Sequence, residues 1–413
     1  MPAIEIVGIV VFSAAYRSLD HYIYWLGGQA VTDGTSLYSE RHSGLWFTNT
    51  PFMAVLFAPM AALPLTAARM VWQLASVAAF AWACVSALRL AGRRPTRSAV
   101  AAAVALGLLL EPVWHSLFLG QVNLFLLALV LADVQRVSTG RRAGIGIGIA
   151  AAVKLTPAVF IVLLLAAGRV RAAMTAAGTF VLCTATAHLI TPDASRLYWL
   201  HTFYDTSRVG VPYISNQSPY GALARILGGV DHIGAWYQAV PVVFGILGLT
   251  LAALWARRGD WLAAAAVTGV TGLLMSPISW SHHWVWAVPA LAVLVRTGDR
   301  ALALGGFLLF LLTPPWWTPH DGGPDEYGFH GVLTAAANAY LLAALAFLLF
   351  MAALLRPRAS SSAHPAVQHH ETAEKAAMEA AFSAARRRQR IPAGAVVSVL
   401  IETKPSSRRR PEP

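Results

Sequence analysis

Apolar runs recur along this chain up to residue 355, and the short gaps on one side of them carry clustered arginines. A bilayer core offers no water to backbone N–H and C=O groups, so a chain built this way must cross as helices. The expected fold is an all-α polytopic membrane protein. Composition agrees: 57% of residues are hydrophobic and 12% charged, against about 25% charged in a soluble domain. Cys84 and Cys183 both sit inside apolar runs, which makes neither a disulfide framework nor a metal site.

About ten crossings are expected: 2–16, 66–91, 98–116, 118–135, 172–191, 236–256, 261–280, 284–296, 301–314 and 332–355. Arg89, Arg93, Arg94 and Arg97, then Arg136, Arg141 and Arg142, Arg257 and Arg258, and Arg296 and Arg300 then fall on one side. By the positive-inside rule that side is cytoplasmic. The first run is short for a crossing, which takes about 20 residues; either the helix is little tilted or the chain extends further at its N-terminus. The run 51–63 is too short to cross and reads as an interfacial helix. Residues 143–168 are broken by Lys154 and Pro157, with arginines at both ends. This predicts a re-entrant hairpin with Lys154 near its tip.

Two domains follow: a transmembrane catalytic domain, 1–355, and a basic tail, 356–413. Eleven of the 31 Lys and Arg lie in the tail. A disordered cytoplasmic tail that fixes orientation accounts for them, and nucleic-acid binding is not expected. The segment GIGIGIAAAVK, 144–154, has no strand before it and reads as helix packing, not as a phosphate cradle.

The outer side gathers the polar residues. Asp20, His21 and Tyr24 follow the first run, Asn49 precedes the interfacial helix, and Glu111, His115, Gln121 and Asn123 come next. Tyr213, Asn216, Gln217 and Arg225 lie in a long polar loop, 192–235. Trp280, His282 and His283 open a late crossing, and His320, Asp321, Asp325 and Glu326 lie in a second loop. Ionisable groups at membrane depth point to function. Each has a simpler reading as well. Asp20 could be a solvated carboxylate, the histidines members of an aromatic belt, and Gln121 and Asn123 interhelical glue. Lys154 is harder to dismiss, because a lysine in apolar surroundings is costly unless paired.

SLDHYIYW, FTNTPFMAVLFAPMAALP, LGQVNLFLLALVLAD, KLTP, ISNQSPYGALAR and SPISWSHHWVWAVPAL occur in that order. Together they resemble actinobacterial C-type glycosyltransferases, above all the polyprenol-phosphate-mannose-dependent α-1,2-mannosyltransferases of phosphatidylinositol mannoside and lipomannan synthesis. One departure is Asn49-Thr50-Pro51, where the family more often has Tyr-Pro-Pro. The resemblance implies a C-type glycosyltransferase fold and transfer of mannose, with inversion, from polyprenyl-phosphate mannose to a glycolipid. The active site would lie on the outer face of the plasma membrane.

In that reading Asp20 is the general base and one of His282 and His283 lines the cavity, while the other packs among Trp280, Trp284 and headgroups. Lys154 and Arg225 bind the donor phosphate. His21, Tyr24, Asn49, Gln121, Asn123, Asn216, Gln217 and Trp280 bind substrate. No cofactor and no metal are expected. Two alternatives stay open: arabinofuranosyl transfer from decaprenyl-phosphate arabinose, and transport or lipid flipping. A transporter should show an internal hydropathy repeat, and none is visible.

Overall fold

A computed structural model of the chain describes residues 18–320 and 326–355. The chain separates into two units, 1–355 and 356–413. The first expected crossing, 2–16, the tail, and Asp321 and Asp325 lie outside the described residues.

Helix follows helix: α1 (Leu19–Asp33), α2 (Pro51–Ala61), α3 (Leu65–Leu90), α4 (Arg97–Leu108), α5 (Glu111–Leu119), α6 (Asn123–Ser138), α7 (Ile145–Val153), α8 (Val159–Ala166) and α9 (Val170–Ile190). After α10 (Pro192–Leu197) and α11 (Pro219–Leu227) come α12 (Ala239–Arg257), α13 (Trp261–Met275), α14 (Ala287–Thr297), α15 (Arg300–Leu312), α16 (Val332–Ala337) and α17 (Ala339–Ala353). The only sheet among the described residues is a two-residue antiparallel pair, β1 (Arg41–His42) and β2 (Leu45–Trp46).

Among the described residues, three stretches are long and apolar enough to cross a membrane alone: Leu65–Leu90, Val170–Ile190 and Ala235–Arg257. The protein is therefore a helical membrane protein. Its centre is α13, buried from Trp261 through Leu274. The run Ala263–Ala266, with Gly269 and Gly272, lets neighbours approach closely, as small residues do between membrane helices. A Cβ on Gly269 would collide with the Trp286 ring.

The expected crossing at 98–116 is a bent pair and not one straight helix. Two helices, α4 and α5, meet there at 78°. Leu110 is extended, and Pro112 has no N–H to continue the ladder, while its ring would clash with the carbonyl four residues back. The loop 192–235 also holds more structure than a polar loop suggests, with α10, α11 and several single turns.

The break at Lys154 is as expected. Lys154 is extended (φ −148°, ψ 128°) and a 3-10 turn, Thr156–Ala158, follows. Pro157 enforces the break: it has no N–H to donate to the Val153 carbonyl, and its ring would clash with that carbonyl in a continuous helix. The glycine run before it does serve helix packing. A Cβ on Gly148 would come within 2.5 Å of the Ala176 carbonyl oxygen of α9, and one on Gly144 would strike that of Ala172. Asp133 of α6 caps α7, accepting from Gly144 N and Ile147 N at 2.9 Å each.

Candidate active site

Two hydrogen-bonded chains meet at the turn between α5 and α6. Gly120 ends α5 at φ 70°, where a Cβ would lie 2.6 Å from that of His21. Only glycine suits both the left-handed backbone and the contact. From α3, Trp72 Nε1 donates to the Gly120 carbonyl (2.8 Å) and Gln73 Nε2 to that of Leu117 (2.7 Å). The clamped turn then presents Gln121 and Asn123.

Gln121 serves the first chain. Its Nε2 donates to Asp20 Oδ2 at 2.9 Å, and its Oε1 accepts from the Tyr24 hydroxyl at 2.7 Å. Asp20 lies in the first turn of α1, where the helix dipole favours a carboxylate, and it is partly exposed. Asn49 is buried beside the Tyr24 hydroxyl.

Asn123 serves the second chain. Its Oδ1 accepts from Lys154 Nζ at 3.2 Å, and its Nδ2 donates to the His282 carbonyl at 2.8 Å. Lys154 Nζ is also 2.8 Å from His283 Nε2. Asp20 and Lys154 are close enough to interact electrostatically. Thr50 fixes the neighbourhood of Lys154: its hydroxyl reaches the Ala152 carbonyl (2.5 Å) while it caps α2. This is the local role of the Asn49-Thr50-Pro51 departure.

An apolar pocket begins at Lys154 and His283. Leu126, Phe160, Leu273, Val285 and Trp286 line it. The Lys154 ammonium is the one cationic group on this lining.

Several expected site residues are brought elsewhere. Arg225 is 1% exposed. Its guanidinium donates to the carbonyls of Pro212, Tyr213 and Asn216 and to Asn338 Oδ1. It lies in the loop 192–235, and burial pulls its pKa down to about 10, so it stays charged at neutral pH while clamping its own loop. Its Nε is buried without a partner among the described residues, so the guanidinium is enclosed by protein and not presented to a phosphate. Asn216 bonds Val211 O, Pro277 O, Ser218 N and Ser279 N. Gln217 bonds Ile214 O, Ala337 O and Tyr340 N. Both are framework, stitching the loop to the segment before the histidines. His21 is buried against Phe57 and Trp72 and does not reach the cavity.

The two histidines divide, but not as expected. His283 is partly exposed and bound to Lys154, whereas His282 is buried inside protein. Its ring lies 4.7 Å from that of His283 and 5.4 Å from that of His115. Trp280 is half-buried beside Tyr213.

One group escaped the sequence reading as part of a site. Glu111 is fully buried and takes contacts from His115 Nδ1 (2.6 Å), Ser281 Oγ (2.7 Å), Trp316 Nε1 (3.3 Å) and the Tyr340 hydroxyl (3.1 Å). The available signal was the four-residue spacing of Glu111 and His115, which puts them on one helix face.

The family model for glycosyltransferase family 87 matches residues 47–277. A Mycobacterium tuberculosis protein, polyprenol-phosphate-mannose-dependent α-(1-2)-phosphatidylinositol mannoside mannosyltransferase, is 32% identical over 361 residues, covering 78% of this chain and 82% of its own. A Mycolicibacterium smegmatis protein, the corresponding pentamannoside mannosyltransferase, is 33% identical over 316 residues, covering 72% and 76%. No solved structure matches. A family match over more than half the chain, together with relatives aligned along most of their length, leaves no room for the transporter alternative: the chain belongs to glycosyltransferase family 87.

Proposed function

We propose that this glycosyltransferase moves mannose from polyprenyl-phosphate mannose to a phosphatidylinositol mannoside, with inversion, forming an α-1,2 linkage. The activities of its relatives support the donor and acceptor. The observation that carries the mechanism is the pairing of Asp20 and Lys154 across one turn, by way of Gln121 and Asn123. Asp20 takes the proton from an acceptor hydroxyl. The hydroxyl oxygen attacks the anomeric carbon, the bond to the donor phosphate oxygen breaks, and its electron pair leaves with the phosphate. The Lys154 ammonium offsets the charge that develops there, and the apolar pocket beside it receives the first units of the polyprenyl chain.

The finer topology belongs to the same reading. It has about ten crossings in the C-type glycosyltransferase manner, 143–168 as a re-entrant hairpin, the site on the outer face of the plasma membrane, and the tail, 356–413, in the cytoplasm. Support for the hairpin comes from α9. Gly144, before the first arm, abuts Ala172, and the second arm ends at Ala166, four residues before α9 starts. Both arms therefore begin and end near one end of α9.

Purified protein in lipid vesicles, given radiolabelled polyprenyl-phosphate mannose and phosphatidylinositol mannosides, should transfer label to the glycolipid. Transfer of arabinose from decaprenyl-phosphate arabinose instead would overturn the choice of sugar.

A further inference from the structure

Four partly exposed rings from four separate segments touch in sequence beside the catalytic groups. Trp280 meets Tyr213 with ring centroids 6.1 Å apart, Tyr213 meets Trp316 at 6.2 Å, and Trp316 meets His115 at 5.6 Å. Each contact is edge to face, so the rings form a wall with differently turned faces. His115 in turn leans on His282 and lies within electrostatic range of Asp20.

Aromatic rings near a membrane surface ordinarily form a belt, with the polar edge of each ring turned to headgroups. Trp316 does the reverse. Its indole N–H turns inward to Glu111, which is fully buried. The same carboxylate holds His115 by Nδ1, so the opposite ring nitrogen, Nε2, is turned away from Glu111. One buried group thus fixes two members of the wall, whose rings remain partly exposed. A pyranose has a matching surface, with C–H groups on its face and hydroxyls around its rim. Aromatic faces bury such C–H groups while polar ring edges meet hydroxyls.

We propose that Trp316, Tyr213, Trp280 and His115 form the subsite for the acceptor's sugar, with Glu111 as the positioning residue that sets Trp316 and His115. The proposal rests on the reading of the acceptor as a mannosylated glycolipid. It assigns the wall to the sugar that supplies the attacking hydroxyl, on the Asp20 side of the cavity, away from the lipid-phosphate groove at Lys154.

Two measurements test it on the full-length protein in detergent. In the transfer assay, Trp316→Ala should raise the acceptor KM at least about tenfold and leave the donor KM within about twofold. Trp316→Phe, which keeps a ring face, should recover part of that loss. Glu111→Gln should raise the acceptor KM in the same direction. An unchanged acceptor KM in folded Trp316→Ala overturns the subsite. So does a loss in which both KM values and the melting midpoint move together. Saturation-transfer NMR with a methyl α-mannoside disaccharide reads the subsite without turnover. Contact seen in wild type and lost in Trp316→Ala supports it, and no contact in wild type overturns it. Disaccharide contact in a wild-type protein that transfers no mannose would instead sink the reaction proposed above and leave the sugar subsite standing.

Discussion

Lys154 Nζ lies 2.8 Å from His283 Nε2, and that distance fixes which of the two carries the charge. The other edge of the His283 ring bonds the Ile278 backbone. A backbone carbonyl can only accept, so the proton sits on Nδ1 and Nε2 offers its lone pair to the ammonium. Lysine is the cation of the site and His283 is its holder.

It follows that Lys154→Met should weaken binding of polyprenyl phosphate by about one to two orders of magnitude. A group hydrogen-bonded to a charge is worth about 1.5–3 kcal/mol. The check is a direct binding measurement with the lipid phosphate, and wild-type affinity in the mutant would remove Lys154 from the donor site.

Asp20→Asn keeps the shape of the side chain and its contact to Gln121 while removing the base. Turnover should fall by about 10²–10⁴-fold, with donor affinity held within a few fold. Near-normal turnover in folded Asp20→Asn protein would show that another group takes the proton.

Much of this site was legible in the sequence, for a physical reason. A lysine, a carboxylate and paired amides inside or beside apolar runs have no cheap resting place in lipid, so Asp20, Gln121, Asn123 and Lys154 stood out individually. What could not be read was which polar groups the protein consumes itself. Arg225, Asn216 and Gln217 look like substrate ligands until their partners are known, and those partners are mainly backbone groups of their own loop and of segments more than fifty residues away. Backbone groups carry no sequence signal. The bend between α4 and α5 was hidden for a related reason: hydropathy runs smoothly through Leu108, Leu109 and Leu110, and only Pro112 marks it.

The framework role of Arg225 has its own consequence. Removing its guanidinium strands four acceptors, of which the Asn216 carbonyl and Asn338 Oδ1 are in buried contacts, at about 1–3 kcal/mol for each buried group left without a partner. Arg225→Met should therefore lower the melting temperature steeply, and whatever protein remains folded should bind polyprenyl phosphate normally. A stable Arg225→Met protein with weakened donor binding would return this residue to the phosphate site.

Gly148 offers a test of the packing beneath Lys154. A valine there would drive its Cβ into the Ala176 carbonyl of α9, and backbone cannot withdraw as a flexible side chain can. Overpacking of this kind costs typically about 1–3 kcal/mol. Gly148→Val should lower thermal stability and reduce donor binding together, whereas Gly178→Val, where a Cβ meets nothing within 4 Å, should do neither. Equal behaviour of the two variants would mean that α7 is not held against α9.

The adjacent histidines should respond unequally to substitution, and the direction follows from their surroundings. His283→Ala removes the group that orients Lys154 but leaves the Asn123 bond. Donor binding should weaken by about the net value of one hydrogen bond, roughly 0.5–1.5 kcal/mol, and turnover should fall further because the ammonium is no longer aimed. In a double-mutant cycle, His283→Ala and Lys154→Met should be non-additive by about 0.5–3 kcal/mol, as groups in direct contact are. His282 is different. Its ring is buried between two others with neither nitrogen hydrogen-bonded, while its backbone carbonyl holds Ser116 and Asn123. The carbonyl survives any side-chain change, so His282→Phe should keep the fold and most of the donor binding, and His282→Ala should cost stability through the cavity it leaves. If His282→Phe abolished transfer in a folded protein while His283→Ala were mild, the assignment of the two histidines would be reversed.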